Sequence, residues 1–386
     1  MTAPSDIAPY SDNDVRRVLE RLTENFEFID AVGQFRLKYW YRLFKPFLRG
    51  RIQNTLKIKI KTIHSIKDFQ IALEPTMTRV LQKTTEAFTV SGLENLNPNK
   101  AYLFLSNHRD IAMDPAFVNW ALHNGGFDTA RIAIGDNLVQ KPFISDLMRL
   151  NKSFIVKRNV SGPREFLKTY SALSHYIRDS IHQNHSVWIA QREGRAKDGI
   201  DRTDPAILKM LAMAGKSRKE GFPQSINTLS IVPISISYEF DPCAPLKARE
   251  LSITETTGSY TKCVDEDVES ITTGIMGWKG RVHVHFGSVI VDVPDMALNL
   301  AEYIDHKIIL GQRIFDTGRL ADTMLRNAEI PDGMTPDVRS RFKRLVRSTP
   351  SEYRSKLLEI YANPLRQFNL HQESINNWSD SGCRSE

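Results

Sequence analysis

The sequence between residues 103 and 122 is LFLSNHRDIAMDPAFVNWAL. Its apolar start, Leu103 to Leu105, predicts a short buried strand, and its second half predicts an amphipathic helix. One imidazole, His108, and two carboxylates, Asp110 and Asp114, therefore stand at a strand-to-helix junction. Loops at the carboxyl ends of strands are where α/β proteins usually build their sites. We take this junction as the candidate site.

A histidine beside a carboxylate permits general-base catalysis. The imidazole of His108 would take a proton from a hydroxyl, while the carboxylate fixes its tautomer and stabilises the imidazolium. A structural role is the alternative for Asp114, because Asp before Pro115 is also a common helix start, with Asp as the N-cap and Pro at the first helical position. The residues alone leave both roles open.

The triplet His108-Arg109-Asp110 also occurs in the catalytic loop of protein kinases. That loop needs an Asn five residues after its Asp, and Pro115 stands there instead. We therefore exclude a kinase.

The composition is that of a globular protein. The chain has 386 residues, 41% of them hydrophobic and 25% charged, which is enough for a large core. Its three cysteines, Cys243, Cys263 and Cys383, are far apart and lack metal-ligand spacing, which favours a reducing compartment. We find neither a secretory signal pattern nor an apolar run of about 18 residues, so we expect a cytoplasmic protein without a transmembrane helix.

Residues 1–95 predict a mainly helical, basic amino-terminal region. Ten Lys or Arg residues and no Asp or Glu lie from Arg36 to Lys67, interleaved with aromatic residues. Within this segment a stripe of four cations has helical spacing, which suits a helix in a membrane interface: Lys38, Arg42, Lys45 and Arg49. Leu56–Lys61 alternates like a strand or ribbon, and residues 70–94 predict an amphipathic helix. We expect the segment to bind a membrane surface and not nucleic acid, because no nucleic-acid-binding signature accompanies it. The segment could equally receive an acidic acyl carrier protein, and an ordinary solvated face is the remaining alternative.

Strands and helices alternate in the middle of the chain. The predicted strands are 101–105, 130–134, 154–156, 186–190, 229–236 and 282–286, and the predicted helices are 115–123, 142–150, 163–183 and 204–216. This order predicts an α/β sheet covered by helices. Residues 239–276 are expected to form a long loop.

Basic residues follow two of these strands. Lys157 and Arg158 end the run from Phe154, and Arg195 and Lys197 lie in the turn after the run Trp188 to Ala190. If the strands are neighbours, these cations converge near His108. A guanidinium matches phosphate oxygens in a bidentate way, so the clusters predict an anionic, phosphate-bearing substrate.

Four segments in order resemble the glycerolipid acyltransferases, the family of glycerol-3-phosphate and 1-acylglycerol-3-phosphate (lysophosphatidic acid) acyltransferases. The family has a His-x4-Asp block, a Phe-Ile-x-Arg block, a Glu-Gly-x-Arg-Ser block and a Val-Pro-hydrophobic block. This chain has His108 to Asp114, Phe154 to Arg158, Arg192 to Lys197 and Val232 to Ile234. The resemblance covers residues 95–290. Two departures mark a divergent branch: five residues separate His108 from Asp114, and the third block is one residue shorter between its Gly and Arg.

The resemblance implies a central mixed sheet flanked by helices and an O-acyltransferase activity in phospholipid biosynthesis. His108, oriented by Asp114 or alternatively by Asp110, would deprotonate a hydroxyl of a glycerol phosphate or lysophospholipid, which attacks acyl-CoA or an acyl carrier protein thioester. The implied phosphate- and substrate-binding residues are Arg158, Glu193, Gly194 and Arg195, and the implied acyl-side residues are Val232, Pro233 and Ile234. No metal or other cofactor is implied. The alternative is a catalytically inactive, peripheral lipid-binding protein of the same fold.

The carboxy-terminal part predicts further helices. Residues 296–330 and 351–368 are expected to be helical, 331–350 to be a connection, and 371–386 to be a disordered tail. His283 and His285 share one face of a strand, but nearby acidic or cysteine ligands are lacking, so we expect surface or core histidines. The predicted division is 1–95, an α/β domain at 96–295, helices at 296–370, and the tail.

Overall fold

The computed structural model describes residues 7–37, 41, 43–158, 160–263, 266–329 and 334–382, with side chains up to residue 373. The chain divides into two compact units. The first unit comprises residues 1–79 and 131–173, and the second unit comprises residues 80–130 and 174–386.

The described residues contain seven strands. They are β1 (Thr85–Ser91), β2 (Leu103–Ser106), β3 (Arg131–Gly135), β4 (Ser153–Val156), β5 (Val187–Ala190), β6 (Ile231–Tyr238) and β7 (Gly280–Phe286). The second unit holds β1, β2, β5, β6 and β7, and the first unit holds β3 and β4, which are parallel to each other. All six predicted strands are present, each within two residues of its predicted bounds.

The sheet of the second unit runs in the order β1-β7-β6-β2-β5. β2 lies between β5 and β6 and is parallel to both, whereas β7 is antiparallel to β6 and parallel to β1. Leu103, Phe104 and Leu105 are fully buried. A parallel strand covered on both faces needs such a continuous apolar run, which is why the sequence signal was strong. The mixed α/β fold is confirmed, and the carboxyl ends of β2, β5 and β6 share one edge of this sheet.

Helices make up most of the remainder. Those of the first unit are Asp12–Glu24, Phe26–Leu37, Lys45–Lys59 and Pro142–Leu150, and two more, Ile66–Thr84 and Pro163–His182, contain residues of both units. Those of the second unit are Met113–Asn124, Pro205–Leu211, Met213–Lys216, Phe222–Asn227, Ala244–Thr257, Glu266–Met276, Ala297–Leu310, Asp316–Leu325, Pro336–Ser348 and Arg354–Gly382. Short 3₁₀ turns lie at Ile60–Thr62, Leu93–Asn95, Asp136–Leu138 and Ser351–Tyr353. In the described ranges, none of the helices has the length and apolarity needed to cross a bilayer.

Each unit has its own apolar core. In the first unit, the helix Asp12–Glu24 buries one face at helical spacing, and its amino terminus is closed by a bond from the Ser11 amide to the Asp14 carboxylate (3.1 Å). The buried residues of this core are Val15, Val18, Leu19, Leu22, Ile60, Ile63, Ile66, Phe69 and Leu150. In the second unit, the carboxy-terminal helices pack around Phe342, Leu320 and Leu357, all fully buried.

Two amino-terminal predictions are wrong. β1 lies inside the helix predicted for residues 70–94, because the β-branched residues from Thr85 onward pair with β7 instead of continuing the preceding helix. The ribbon predicted for Leu56–Lys61 is the end of the helix Lys45–Lys59 and a 3₁₀ turn. Its alternation does not follow burial, since Ile60 is buried and Ile58 is 66% exposed.

The loop predicted for 239–276 is also wrong, because it contains the helices Ala244–Thr257 and Glu266–Met276. The first of them has Pro245 in its first turn and ends at Gly258, whose φ of 80° is left-handed. Likewise the connection predicted for 331–350 is largely the helix Pro336–Ser348, whose proline begins the helix and does not break it.

The carboxy-terminal end differs from the prediction as well. The single helix expected at 296–330 is two helices. Residues 371–382, expected to be disordered, continue the helix Arg354–Gly382, and 383–386 lie outside the described residues. The α/β domain was expected to begin after residue 95. β1 lies before that residue but is already part of the sheet of the second unit.

Gly92, directly after β1, provides a test of this fold. Its φ is +80°, and a Cβ there would lie 1.9 Å from the backbone oxygen of Phe286. We expect Gly92→Ala to lower the free energy of unfolding by about 3 kcal/mol, since strain and a backbone clash add. Gly126→Ala is the matched control, because Gly126 has the same φ but open space around it, and it should cost only about 1 kcal/mol. Urea unfolding followed by circular dichroism measures both, and equal losses would contradict the described packing of β1 on β7.

Candidate active site

Asn107 fixes the start of the candidate site. It follows β2, and its side chain bonds the backbone of Ile236 on β6 twice: Oδ1 accepts from the Ile236 amide (2.8 Å), and Nδ2 donates to the Ile236 carbonyl (3.1 Å). Asn107 is fully buried, and these bonds satisfy its side-chain amide while its own backbone amide donates to the Ile234 carbonyl (3.3 Å). The next residue, His108, is thereby held at the edge of the sheet.

His108 pairs with Asp114. The distance from its Nδ1 to Asp114 Oδ2 is 2.8 Å. The Asp114 side chain is fully buried, whereas the His108 side chain is 15% exposed. With Asp114 ionised, Nδ1 must carry the proton of this bond, which leaves Nε2 as the proton acceptor.

The Asp114 carboxylate accepts three further hydrogen bonds. The backbone amides of Arg109 (2.5 Å) and Asp110 (2.9 Å) donate to Oδ2, and the hydroxyl of Tyr238 donates to Oδ1 (2.6 Å). Burial by itself raises the pKa of Asp114, but the bonds from His108, Tyr238 and the Asp110 amide outweigh it and hold this pKa below the ordinary aspartate value. Asp114 is therefore a carboxylate at neutral pH.

Asp110 has a different task. Its Oδ1 accepts from the backbone amides of Ala112 (3.0 Å) and Met113 (2.8 Å), at the start of the helix Met113–Asn124. It thus holds the turn that leads into the helix. The N-cap position that the sequence had allowed for Asp114 is occupied by Ala112, and Asp114 lies in the first helical turn. Burial and the neighbouring negative charge of Asp114 raise the pKa of Asp110. The structure selects Asp114 as the partner of His108.

Neighbouring strands also contact His108. The ring of Trp188 on β5 stands edge-on to the imidazole, with centroids 5.7 Å apart and planes at 75°. The backbone amide of Ala196, in the loop after β5, donates to the His108 carbonyl (2.8 Å). These contacts tie the third predicted block, Arg192 to Lys197, to the first.

The buried carboxylate of Asp201 supports the loop that carries His108. Asp201 Oδ2 accepts from Arg109 Nη2 (2.6 Å) and from the side-chain amides of Asn107 (3.3 Å) and Gln312. Burial raises the pKa of Asp201 even though the charge of Arg109 opposes the shift. The Arg109 carbonyl in turn accepts from Lys247 Nζ (2.7 Å).

Sequence reasoning missed Asn107, Tyr238 and Asp201 as parts of the site. Tyr238 lay two residues beyond the predicted end of its strand, and extending the apolar alternation of β6 would have reached it. Asp201 carries no spacing signal, because its partners come from positions as distant as Gln312.

The predicted phosphate-binding residues lie in two places. Glu193 is exposed, Gly194 has a left-handed φ of 75° that suits glycine, and Arg195 is half-buried, all in the loop after β5. Lys197, expected to join them, forms an ion pair with Glu250 instead. Arg158 belongs to the first unit, where it follows β4 and its amide donates to Asp136 Oδ2 (3.4 Å).

The predicted acyl-side residues are inside the sheet. Val232 and Ile234 are fully buried on β6, and Pro233 is the pairing partner of Leu105 on β2. Their contact with an acyl chain stays a prediction.

His283 and His285 on β7 bond hydroxyl groups of β1. His283 contacts Thr89 Oγ1 (2.8 Å) and Ser91 Oγ (3.0 Å), and His285 contacts Ser91 Oγ (2.8 Å). Burial lowers the pKa of His283 to about 4. No group of three or more His, Cys, Asp or Glu side chains within the described ranges is arranged to hold a metal ion.

Comparison with known proteins gives a family match for the region around this site. Residues 87–237 match the family model described as Acyltransferase. No curated protein matches the chain. Among solved structures, the chain is similar to the 1-acyl-sn-glycerophosphate (LPA) acyltransferase PlsC from Thermotoga maritima, with 14% sequence identity, a TM-score of 0.38, and coverage of 76% of this chain and 94% of that chain.

The two aspartates should respond oppositely to acid. The lowered pKa of Asp114 stabilises the fold fully above about pH 4, and this contribution is lost as the pH falls toward the lowered value. We therefore expect the stability advantage of wild type over Asp114→Asn to stay constant down to about pH 4 and to shrink between about pH 4 and pH 3. Urea unfolding across this range measures it.

Asp110→Asn is the matched control. Because the pKa of Asp110 is raised, its ionised form is disfavoured in the folded chain, and wild type should gain stability relative to this variant as the pH falls. The same trend in both variants would contradict the assigned roles.

Proposed function

We propose that this chain transfers a fatty acyl group from a thioester, acyl-CoA or an acylated carrier protein, to a hydroxyl of a glycerol phosphate or lysophospholipid. The match of residues 87–237 to the family model described as Acyltransferase supports this proposal. The observation that carries the proposal is the 2.8 Å bond between His108 Nδ1 and the buried carboxylate of Asp114. It leaves a partly exposed imidazole with one nitrogen ready to accept a proton.

The reaction follows from this geometry. His108 Nε2 takes the proton of the acceptor hydroxyl as its oxygen attacks the thioester carbonyl carbon. The tetrahedral intermediate collapses, the carbon–sulfur bond breaks, and the leaving thiolate takes the proton back from His108. The ester and the free thiol are the products, and Asp114 stabilises the imidazolium between the two proton transfers.

Arg195 is our candidate for the acceptor's phosphate. It directly precedes Ala196, whose amide bonds the His108 carbonyl, so its backbone is fixed close to the base. Glu193 and Gly194 would shape the same loop around the acceptor, and Arg158 stays a predicted phosphate ligand on the resemblance alone.

Replacing His108 tests the activity. We expect His108→Ala to reduce thioester-dependent acylation of glycerol 3-phosphate and lysophosphatidic acid by about 10³-fold or more, since the proposed reaction loses its general base. His123→Ala is the control, because His123 is an exposed histidine at the end of the helix Met113–Asn124. It should keep wild-type activity, and circular dichroism checks that both variants fold.

The outcomes separate the two candidate functions. Equal activity of wild type and His108→Ala would rule out His108 as the base. A folded wild type that acylates neither acceptor with either donor, but binds lysophospholipid, would favour the catalytically inactive lipid-binding alternative.

We also propose that the first unit docks on an anionic membrane surface. The helix Lys45–Lys59 buries none of its residues, and Phe47 is 67% exposed beside Arg51, whose guanidinium lies 5.6 Å from the ring centroid. Other large apolar side chains of this part of the chain are also exposed: Phe26, Phe35, Leu37, Leu43, Phe44 and Ile58. Aromatic residues mixed with cations are typical of interfacial helices. Two cations of the predicted stripe, Lys38 and Arg42, lie outside the described residues, and its other two, Lys45 and Arg49, pair with Asp30.

Vesicle sedimentation tests this surface. We expect Phe47→Ser and Arg51→Glu each to weaken binding to phosphatidylserine-containing vesicles by about 10-fold. The first removes exposed apolar area that docking would bury in the membrane, and the second reverses a charge. Arg344→Glu is the matched control, since Arg344 is an exposed cation on a different helix, Pro336–Ser348. Unchanged vesicle binding in both test variants would contradict membrane docking, and weakened binding to acyl carrier protein alone would assign the surface to the donor.

A further inference from the structure

Tyr238 stands at a point where three elements of the second unit meet. It is the last residue of β6, it pairs with Val282 of β7, and its ring packs on Phe117 of the helix Met113–Asn124, with centroids 5.7 Å apart. Its hydroxyl donates to Asp114 Oδ1 at 2.6 Å. Both sheet and helix therefore determine where this hydroxyl lies.

The two oxygens of Asp114 are held by different parts of the chain. Oδ2 receives His108 Nδ1 and the amides of Arg109 and Asp110, all from the loop that also carries the base. Oδ1 receives the Tyr238 hydroxyl from β6. The carboxylate torsion of an aspartate is broad by itself, so bonds to one oxygen leave the plane of the carboxylate weakly defined. The second anchor fixes that plane.

We infer that Tyr238 is a positioning residue for acyl transfer, which acts through Asp114 to hold the imidazole of His108 in the orientation that presents Nε2 to the acceptor hydroxyl. This inference rests on the proposed function. It adds a residue 124 positions away from Asp114 in the chain, beyond the end of the family match at residue 237.

The electrostatics of the pair favour this role. Burial raises the pKa of Tyr238 well above its ordinary value, and the charges of Asp114, Asp110 and Asp241 raise it further. Asp241 itself is paired with Lys247. The tyrosine therefore stays protonated throughout the working pH range and always donates its hydrogen bond to Asp114.

Tyr238→Phe removes only the hydroxyl and keeps the packing of the ring. We expect kcat to fall by about 10-fold with KM changed less than about two-fold, because the inferred role acts on the Asp114 carboxylate and not on the binding of the acceptor. Without this donor the Asp114 carboxylate attracts the Nδ1 proton more strongly, so the acidic limb of the kcat/KM profile should move to higher pH.

Tyr102→Phe is the matched control. Tyr102 is buried just before β2, at the strand end opposite the site, and its hydroxyl accepts a hydrogen bond from the Asn97 amide (2.9 Å). It loses a buried hydroxyl in the same way, and its pH profile should match that of wild type. If kcat falls equally in the two variants, the loss in Tyr238→Phe is due to a general loss of stability. That result would overturn the inference.

A double variant with Asp114→Asn tests whether Tyr238 acts through Asp114. If Tyr238 acts through the Asp114 carboxylate, adding Tyr238→Phe to Asp114→Asn should change kcat by less than about two-fold. A full further 10-fold loss in the double variant would overturn the inference.

Nitrogen-15 NMR of the His108 ring is a readout that does not need turnover. In wild type its Nδ1–H signal should show the strong bond to Asp114, and Tyr238→Phe should shift both that signal and the titration of the ring. If wild type acylates nothing, the proposed function fails but this spectrum still decides whether Tyr238 acts on His108. An active wild type with unchanged His108 signals in Tyr238→Phe would overturn the role of Tyr238 alone.

Discussion

The carboxylate of Asp114 is the group on which the candidate site depends. It is fully buried, yet it remains charged because four donors surround it, two of them backbone amides of the loop that carries His108. An isolated carboxylate in such a place would protonate instead. The same bonds that keep it ionised also define the loop, so the conformation of residues 108–110 and the charge of the site have one cause.

Behind this loop lies a second buried charge, Asp201, paired with Arg109. The pair is useful less for its net energy than for its geometry, because removing either partner leaves the other charge buried without compensation. Together with the amide of Asn107, it attaches the end of β2 to the loop after β5. His108 is thus positioned by buried groups on the sheet edge at which β2 ends.

Much of the fold could be predicted because burial leaves a readable pattern. The strands β2 and β5 are nearly continuous apolar runs, β6 begins with one, and the junction after β2 gave both His108 and Asp114. What could not be predicted depends on partners distant in the chain. β1 becomes a strand only through its pairing with β7, and the alternation at Leu56–Lys61 has no strand partner. Prolines at 245 and 336 begin helices, although a proline alone signals a break equally well. The choice between Asp110 and Asp114 required the directions of their oxygens, which no spacing rule supplies.

The different roles of Asp110 and Asp114 affect how similar proteins can be found by sequence patterns. With five residues between histidine and aspartate, the loop has one residue more than the family's pattern allows, and Asp110 closes the helix start while Asp114 remains free to reach His108. Asp110 stabilises the longer loop, and the hydrogen bond between His108 and Asp114 is kept. A search pattern with fixed spacing passes over chains of this type. One that permits a longer gap when an acidic residue stands two positions after the histidine would recover them, and it would define a subgroup by its loop.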